Sequence, residues 1–338
     1  MRIKLLIVGS KSINSLENIY IKYLKLKEID IYHIDLTDFY SYSGIFNKII
    51  YIISYRTLYN KANQELLNYV EKCNPNFIWV FKGVELKNTT LLTLRKKKIK
   101  LIYYNPDHPF IRNSVSHGKN NVETNLSLYD IHFSYQSDLT TLINKKYKLP
   151  SYNLPFGYDL TNDEYSSINE KEIKRVCFVG TPDKERVNLV NYLIKNEIPL
   201  DLYGNEWAKV IKFMPNVNVF PSVVNLEFYK TLHKYRIQLN LFRKHNFGSH
   251  NMRFFEIPAV GGVQLSNFSY EASDFFEEDK EIFFFKTKND LINKIHTILN
   301  FDESIIKEIR IAARNRSLIS NYTYQNRSNY FYNTITNI

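Results

Sequence analysis

The feature that most constrains this chain is a rhythm of short apolar runs and amphipathic stretches, begun at residue 3 and begun again near residue 175. Ile3–Val8 is an apolar run ending at Gly9-Ser10, which suits a buried parallel strand followed by a tight turn. Leu16–Leu26 has apolar residues at helical spacing, and Ile29–Ile34 reads as a second strand. Leu58–Val70 predicts a helix with Leu58, Ala62, Leu66, Leu67 and Val70 on one face. Strand Phe77–Phe81, helix Leu91–Lys98, strand Leu101–Tyr104, strand Asp130–Ser134 and helix Asp138–Lys146 follow. Such β-α alternation predicts an open, mostly parallel sheet covered on both faces.

Thr161–Lys174 is polar, lacks apolar periodicity and reads as a linker. The rhythm then restarts with strand Arg175–Val179, helix Glu185–Lys195 and strand Leu200–Tyr203. Helix Leu226–Tyr235, strand Ile237–Leu241, helix Met252–Val260 and strand Val263–Leu265 continue it. Helices near Asn289–Leu299 and Glu303–Ile319 precede an aromatic-rich stretch, Tyr322–Tyr332. The expectation is α/β throughout: two Rossmann-like, doubly wound domains facing a cleft. Residues 1–160 form the first, 161–174 the linker and 175–320 the second. A C-terminal helix, 321–338, packs back on the first.

Composition narrows the class. Of 338 residues, 44% are apolar and 23% charged, enough to bury two cores and too apolar for a disordered chain. Ten Gly and ten Pro are too few for a collagen-like chain or a Gly/Pro-rich sandwich. Cys73 and Cys177 make neither a disulfide framework nor a zinc site. The longest apolar run, Ile45–Tyr55, is interrupted by Lys48 and too short for a membrane span, and MRIKLLIVGS is too short for a signal peptide. A cytoplasmic location follows as the expectation.

The net charge of +11 is uneven: residues 1–157 hold 22 basic and 12 acidic side chains, and the remainder 23 and 22. An anionic acceptor, or the inner face of an anionic membrane met peripherally, would face the first half. Compositional drift toward Lys is the equal alternative. Nucleic acid is not the expected partner, because the aromatics fall on apolar faces and not among Lys and Arg in an exposed stripe.

The stretch richest in chemistry is Ser249–Gly262, SHNMRFFEIPAVGG. Gly248 and Ser249 form a polar loop, Asn251 can cap the helix that follows, and that helix start would favour a diphosphate. Arg253 and Glu256 are neighbours on one face: the carboxylate can take two ribose hydroxyls while the arginine neutralises phosphate. An i,i+3 ion pair closed by a Gly C-cap is the structural alternative. Gly180-Thr181 with Arg186, and Tyr203-Gly204, are strand-end loops where backbone can approach a ligand. A β-α turn and a packed Tyr are their structural alternatives.

In the first half, Gly9 and Ser10, Lys82 and Gly83, and Asn105, Asp107 and His108 also follow strands, where α/β sheets place their sites. Asp107, then His108, are the candidates to deprotonate an acceptor hydroxyl; a turn before Pro109 is the alternative. Arg95–Lys100, RKKKIK, reads first as cations closing a helix. His117 and Gly118 lie in a polar loop, Ser114–Asn121, without an assigned role. No metal is expected: the histidines lack ligand spacing and no DxD pair appears in a loop.

VCFVGTPDKER from Val176, LYGNEW around Tyr203, SHNMRFFEIPAVGGVQLSN and YTYQNR from Tyr322 resemble, in order and spacing, the glycosyltransferases grouped with spore maturation protein CgeB. The resemblance spans most of residues 173–330, with only the FKG and NPD segments loosely similar before it. It implies a GT-B fold, with a nucleotide-sugar donor held mainly by the second domain and an acceptor by the first. In related retaining enzymes the second Glu of a Glu-x7-Glu motif binds the ribose. Glu256 matches it, while Gly248 stands where the first Glu would be.

The resulting expectation is transfer of a sugar from a nucleotide diphosphate sugar, UDP-linked by resemblance, to a hydroxyl of a saccharide or lipid-linked glycan. No permanently bound cofactor is expected. A nucleotide-sugar epimerase or hydrolase of the same fold, a catalytically dead sugar-binding domain and a nucleic-acid-binding protein are the rivals.

Overall fold

The computed structural model describes residues 2–40, 59–110, 121–212, 214–243 and 248–337. The expected run Ile45–Tyr55, Leu58 of the predicted helix, and the loop with His117 and Gly118 lie outside them. The chain divides into two compact units, Met1–Pro155 with Arg327–Ile338, and Phe156–Asn326.

In the first unit six strands form one sheet: β1 (Ile3–Val8), β2 (Ile29–Ile34), β3 (Phe77–Phe81), β4 (Lys100–Asn105), β5 (Ile131–Ser134) and β6 (Ser151–Asn153). Their order is β2-β1-β3-β4-β5-β6, with every pairing parallel. Helices α1 (Leu16–Leu24), α2 (Asn60–Cys73), α3 (Asn88–Lys96), α4 (Asn121–Asn125) and α5 (Ser137–Tyr147) intervene. Ser15 starts α1 by accepting from the Asn18 amide, and Asn74 in the left-handed region stops α2.

Alternation along the strands sorts the two faces. Leu6, Val8, Ile78, Val80, Leu101 and Tyr103 join an aliphatic core with Leu66, Leu91 and Ile143 from the helices. The opposite face is aromatic. Trp79 packs edge-on to Tyr20 of α1 at 4.9 Å and stacks on Phe331 at 3.7 Å, where the C-terminal helix folds over it. The basic run ends α3 as a helix-closing cluster: the exposed Arg95 guanidinium donates to Ser127 and Leu128 carbonyls, and Lys97 pairs with Glu71.

The second unit repeats the plan with β7 (Ile173–Val179), β8 (Leu200–Tyr203), β9 (Val217–Phe220), β10 (Tyr235–Asn240), β11 (Gln264–Asn267) and β12 (Phe283–Phe285). The order is β12-β11-β10-β7-β8-β9, again all parallel, which is the doubly wound Rossmann order. Its helices are α6 (Asn162–Ser166), α7 (Lys184–Lys195), α8 (Trp207–Val210), α9 (Asn225–Lys234), α10 (Arg253–Ala259), α11 (Tyr270–Ser273), α12 (Lys288–Leu299) and α13 (Glu303–Ile319). The last helix, α14 (Tyr324–Thr336), begins in this unit and ends in the first.

Here the faces differ in kind. Phe178, Leu202, Ile237, Leu239 and Leu265 build the hydrophobic core, whereas Arg236, Gln238, Asn240, Gln264 and Ser266 bury a polar stripe on the other side. The polar segment 161–174 carries α6, started by a capping box between Thr161 and Glu164, and then runs into β7. Among the described residues no helix is long and apolar enough to cross a membrane.

Candidate functional site

In a doubly wound sheet the strand order reverses at one point, and ligands bind outside the carboxyl ends there. In the second unit that point lies between β7 and β10, and the expected donor-side residues gather around it. Gly180 and Thr181 continue from β7; Asn240 ends β10 and Arg243 follows it.

Asp183 caps α7 by accepting from the Arg186 amide at 3.0 Å. The Arg186 guanidinium turns back over the Phe178 ring and donates to the carbonyls of Leu241 and Thr181. Burial pulls its pKa down to about 10; Asp183 opposes this, and Arg243 and Arg253 reinforce it. Arg243 donates from Nη2 to Thr181 Oγ1 at 2.7 Å. Arg253 lies over the Phe228 ring at 4.1 Å, donates from Nε to the Val179 carbonyl and pairs with Glu256.

Three guanidiniums therefore converge on one strand-end region, with Asp183 and Glu256 as their carboxylates. Their side-chain exposures are graded: 10% for Arg186, 31% for Arg253 and 48% for Arg243. Arg186 holds the frame, and the other two can reach an anion.

Helix α10 is placed by its surroundings. Asn251 accepts from the Phe254 amide at 3.0 Å, and its own amide donates to Asn240 Oδ1 at 2.9 Å, which fixes which way it faces. The far end is a Schellman motif: Gly261, at φ +70°, donates to Pro258 and Gly262 to Ile257. Both structural alternatives for this stretch are thus present: the ion pair stands at the switch point, and the Gly cap at the opposite end of α10, beside the start of β10.

Other expected donor residues are engaged in packing. Ser249 is buried, its hydroxyl bonded to Glu271 and its carbonyl accepting from Ser269. Tyr203 stacks on Phe220 at 4.6 Å, and its hydroxyl bonds Tyr235, which donates to Asp201. Gly204 is required for close approach: a Cβ there would sit 2.4 Å from the Gly180 carbonyl oxygen, which also accepts from the Trp207 indole at 2.6 Å. Gly248 has φ +89°, and among the described residues no atom lies within 4 Å of where its Cβ would be.

In the first unit the order reverses between β1 and β3. Gly9 donates to Ile34, while the Ser10 amide donates to Glu17 Oε1 at 3.0 Å. Burial pushes the Glu17 carboxyl up, against the pull of backbone N–H groups and Lys82. Lys82 and Gly83 are both left-handed, at φ +61° and +63°, and this turn sends the Lys82 ammonium to Asp107, 2.9 Å away. Asn105 Oδ1 accepts from the Asp107 amide, the turn expected before Pro109, and His108 Nδ1 accepts from Phe110. Lys82, Asn105 and Asp107 are brought together; His108 faces its own turn.

Sequence reasoning missed Arg243, Asp183, Asn240 and Glu17. Arg243 was findable by the strand-end rule that picked out Lys82. Glu17 lies seven residues from the amide it accepts, in a helix, with nothing in its spacing to mark it. Among the described residues no group of three His, Cys, Asp or Glu is arranged to hold a metal ion.

Residues 186–333 match a family model described as "Glycosyl transferase-like". No curated protein matches the chain. Among solved structures, sucrose-phosphate synthase from Thermosynechococcus elongatus superposes with a TM-score of 0.71 at 11% identity, covering 99% of each chain. Anabaena Alr3699/HepE in complex with UDP-glucose gives 0.67 at 11% identity, over 99% of this chain and 100% of that one. A glycosyltransferase from Rickettsia africae ESF-5 gives 0.65 at 13%, over 98% and 97%. At these identities the likeness is one of fold. The chain has the GT-B fold, and its residues 186–333 are similar to glycosyl transferase-like proteins.

Proposed function

We propose that this protein transfers a sugar from a nucleotide diphosphate sugar, UDP-linked, to a hydroxyl of a saccharide or lipid-linked glycan. The observation that carries the reading is the convergence of Arg186, Arg243 and Arg253 at the switch point of the second sheet. A diphosphate is the ligand whose charge such a cluster complements. HepE, which shares the fold, has been crystallised with UDP-glucose.

In this reading Arg243 and Arg253 bind the diphosphate, with Gly180, Thr181 and the Ser249 loop beside it. Glu256 takes the ribose hydroxyls, exchanging part of its pairing with Arg253 for them. As the bond from the anomeric carbon to the diphosphate oxygen breaks, the guanidiniums stabilise the charge that develops on the leaving group. The acceptor oxygen bonds to the same carbon. In an inverting reaction its proton passes to Asp107, which Lys82 keeps oriented. The basic first unit meets an anionic acceptor or membrane surface at the inner face. The finer kinship to the CgeB group belongs to this reading and rests on the sequence blocks that resemble it.

The test is sugar release from a panel of UDP-sugars with and without saccharide acceptors. Consumption that requires an acceptor, and falls about 100-fold or more in Asp107→Asn, is the inverting outcome. Consumption without any acceptor would point to a hydrolase or epimerase, an activity sharing the fold with the putative UDP-N-acetylglucosamine 2-epimerase from Listeria monocytogenes.

A further inference from the structure

Helix α10 carries Arg253 and Glu256 but has only seven residues, about two turns, too short to be stable alone. Its orientation must come from outside. The Schellman motif uses the carbonyls of Ile257 and Pro258. The next ones are taken by side chains of α13: Arg314 Nη1 donates to Ala259 at 2.5 Å, and Arg310 Nη1 to Gly261 at 3.0 Å.

The same two guanidiniums hold the segment that precedes β7. Arg314 Nη2 donates to Asn162 Oδ1 at 3.0 Å, and its plane lies over the Tyr165 ring at 4.0 Å. Arg310 Nη2 reaches Glu172 Oε2 at 3.3 Å, and Arg236 holds the other Glu172 oxygen at 2.8 Å. Arg310 also binds the carbonyls of His233 and Tyr235, where α9 passes into β10. The end of α10, the start of β10 and segment 162–172 therefore meet on two side chains. Only a guanidinium offers enough donors in a rigid fork to do this; an ammonium does not.

We propose that Arg310 and Arg314 are positioning residues for the nucleotide site, acting through the C-terminal end of α10 on Arg253 and Glu256. The assignment rests on the donor-site reading above. Ordinary structural support is separated by a control: Arg175 is equally multidentate, binding Asp201, Leu200 and Asn216, none of them in α10.

The experiment is calorimetric titration of UDP into the wild type, Arg310→Lys, Arg314→Lys and Arg175→Lys, each well below its Tm. Hydrogen exchange of 161–172 and 253–262 is followed alongside. Both α13 variants should bind UDP roughly tenfold more weakly, with faster exchange in the two segments together, while Arg175→Lys stays within about twofold. Unchanged affinity in both α13 variants overturns the assignment. A wild type that does not bind UDP overturns the donor-site reading itself, and the assignment with it. Should Arg314→Lys not fold, Asn162→Ala removes only its outer partner. Faster exchange of α10 in that variant supports the tie, and unchanged exchange overturns it.

Discussion

The Arg186 guanidinium, rooted in the first turn of α7, donates from Nε and Nη2 to the single carbonyl of Leu241 at 3.2 and 2.7 Å. One side chain thereby bridges the β7–α7 turn and the end of β10, the two strand ends between which a doubly wound sheet binds its ligand. Arg186 is both a charge at the candidate site and a buried strut of its frame, whereas Arg243, half exposed, touches that frame only through Thr181 and Asp183.

The two arginines should therefore separate stability from binding. Arg186→Ala leaves a buried carbonyl without its donors and should cost about 1–3 kcal/mol. Arg243→Ala, half exposed, should move stability by no more than about 0.5 kcal/mol yet weaken UDP roughly tenfold. Thermal unfolding with and without UDP measures both effects in one series.

Gly204 should tolerate nothing larger. An alanine Cβ there would press on the Gly180 carbonyl at 2.4 Å, and φ is +149°. Gly204→Ala should lower stability by about 1–3 kcal/mol and disturb the Trp207–Gly180 hydrogen bond, which a change in tryptophan fluorescence would report.

Phe331 is fully buried against Trp79 and Phe133. Phe331→Ala should cost about 3–5 kcal/mol and open the Trp79 ring to quenchers. Trp79 and Trp207 are the chain's two tryptophans, so iodide quenching of a Trp207→Phe background isolates the effect. An unchanged quenching constant would mean that the C-terminal helix is not what covers Trp79.

His132 predicts a pH dependence. It is buried in β5 beside Tyr103, and burial lowers its pKa from 6.5 to about 3. The unfolded chain therefore takes up the proton first. The associated stability is complete above about pH 6.5 and is lost as the pH falls toward 3. From pH 7.5 to 5 that amounts to at most about 2 kcal/mol. His233, lowered to about 4 by burial and by Arg310, adds a slope of the same sign. Urea unfolding at several pH values should show the loss, and His132→Gln should show a shallower one.

The fold was legible because parallel strands buried on both faces announce themselves as apolar runs: Ile3–Val8 and Phe77–Phe81 appear where the sequence puts them. The strands that escaped are β6, β9 and β12, short ones of three or four residues and all three at sheet edges, where one neighbour is missing; β6 and β9 carry polar residues there, and β12, three buried phenylalanines, is too short a run to mark a strand. In Val217–Phe220 two of four residues face solvent, so no apolar run marks it. The candidate site was legible where it follows a strand end, as at Gly180, Lys82 and Asp107. It was not legible where tertiary contact makes the geometry: the reach of Arg186 to Leu241 spans 55 positions, and nothing local encodes it.

Titration of UDP against uridine tests most directly whether the guanidinium cluster at the second switch point is a diphosphate site. UDP should bind at least about tenfold more tightly than uridine, a gap of about 1.4 kcal/mol or more, and the gap should close in Arg243→Ala and shrink with salt. Equal binding of the two ligands, or a gap that survives Arg243→Ala together with Arg253→Ala, would contradict a diphosphate site there.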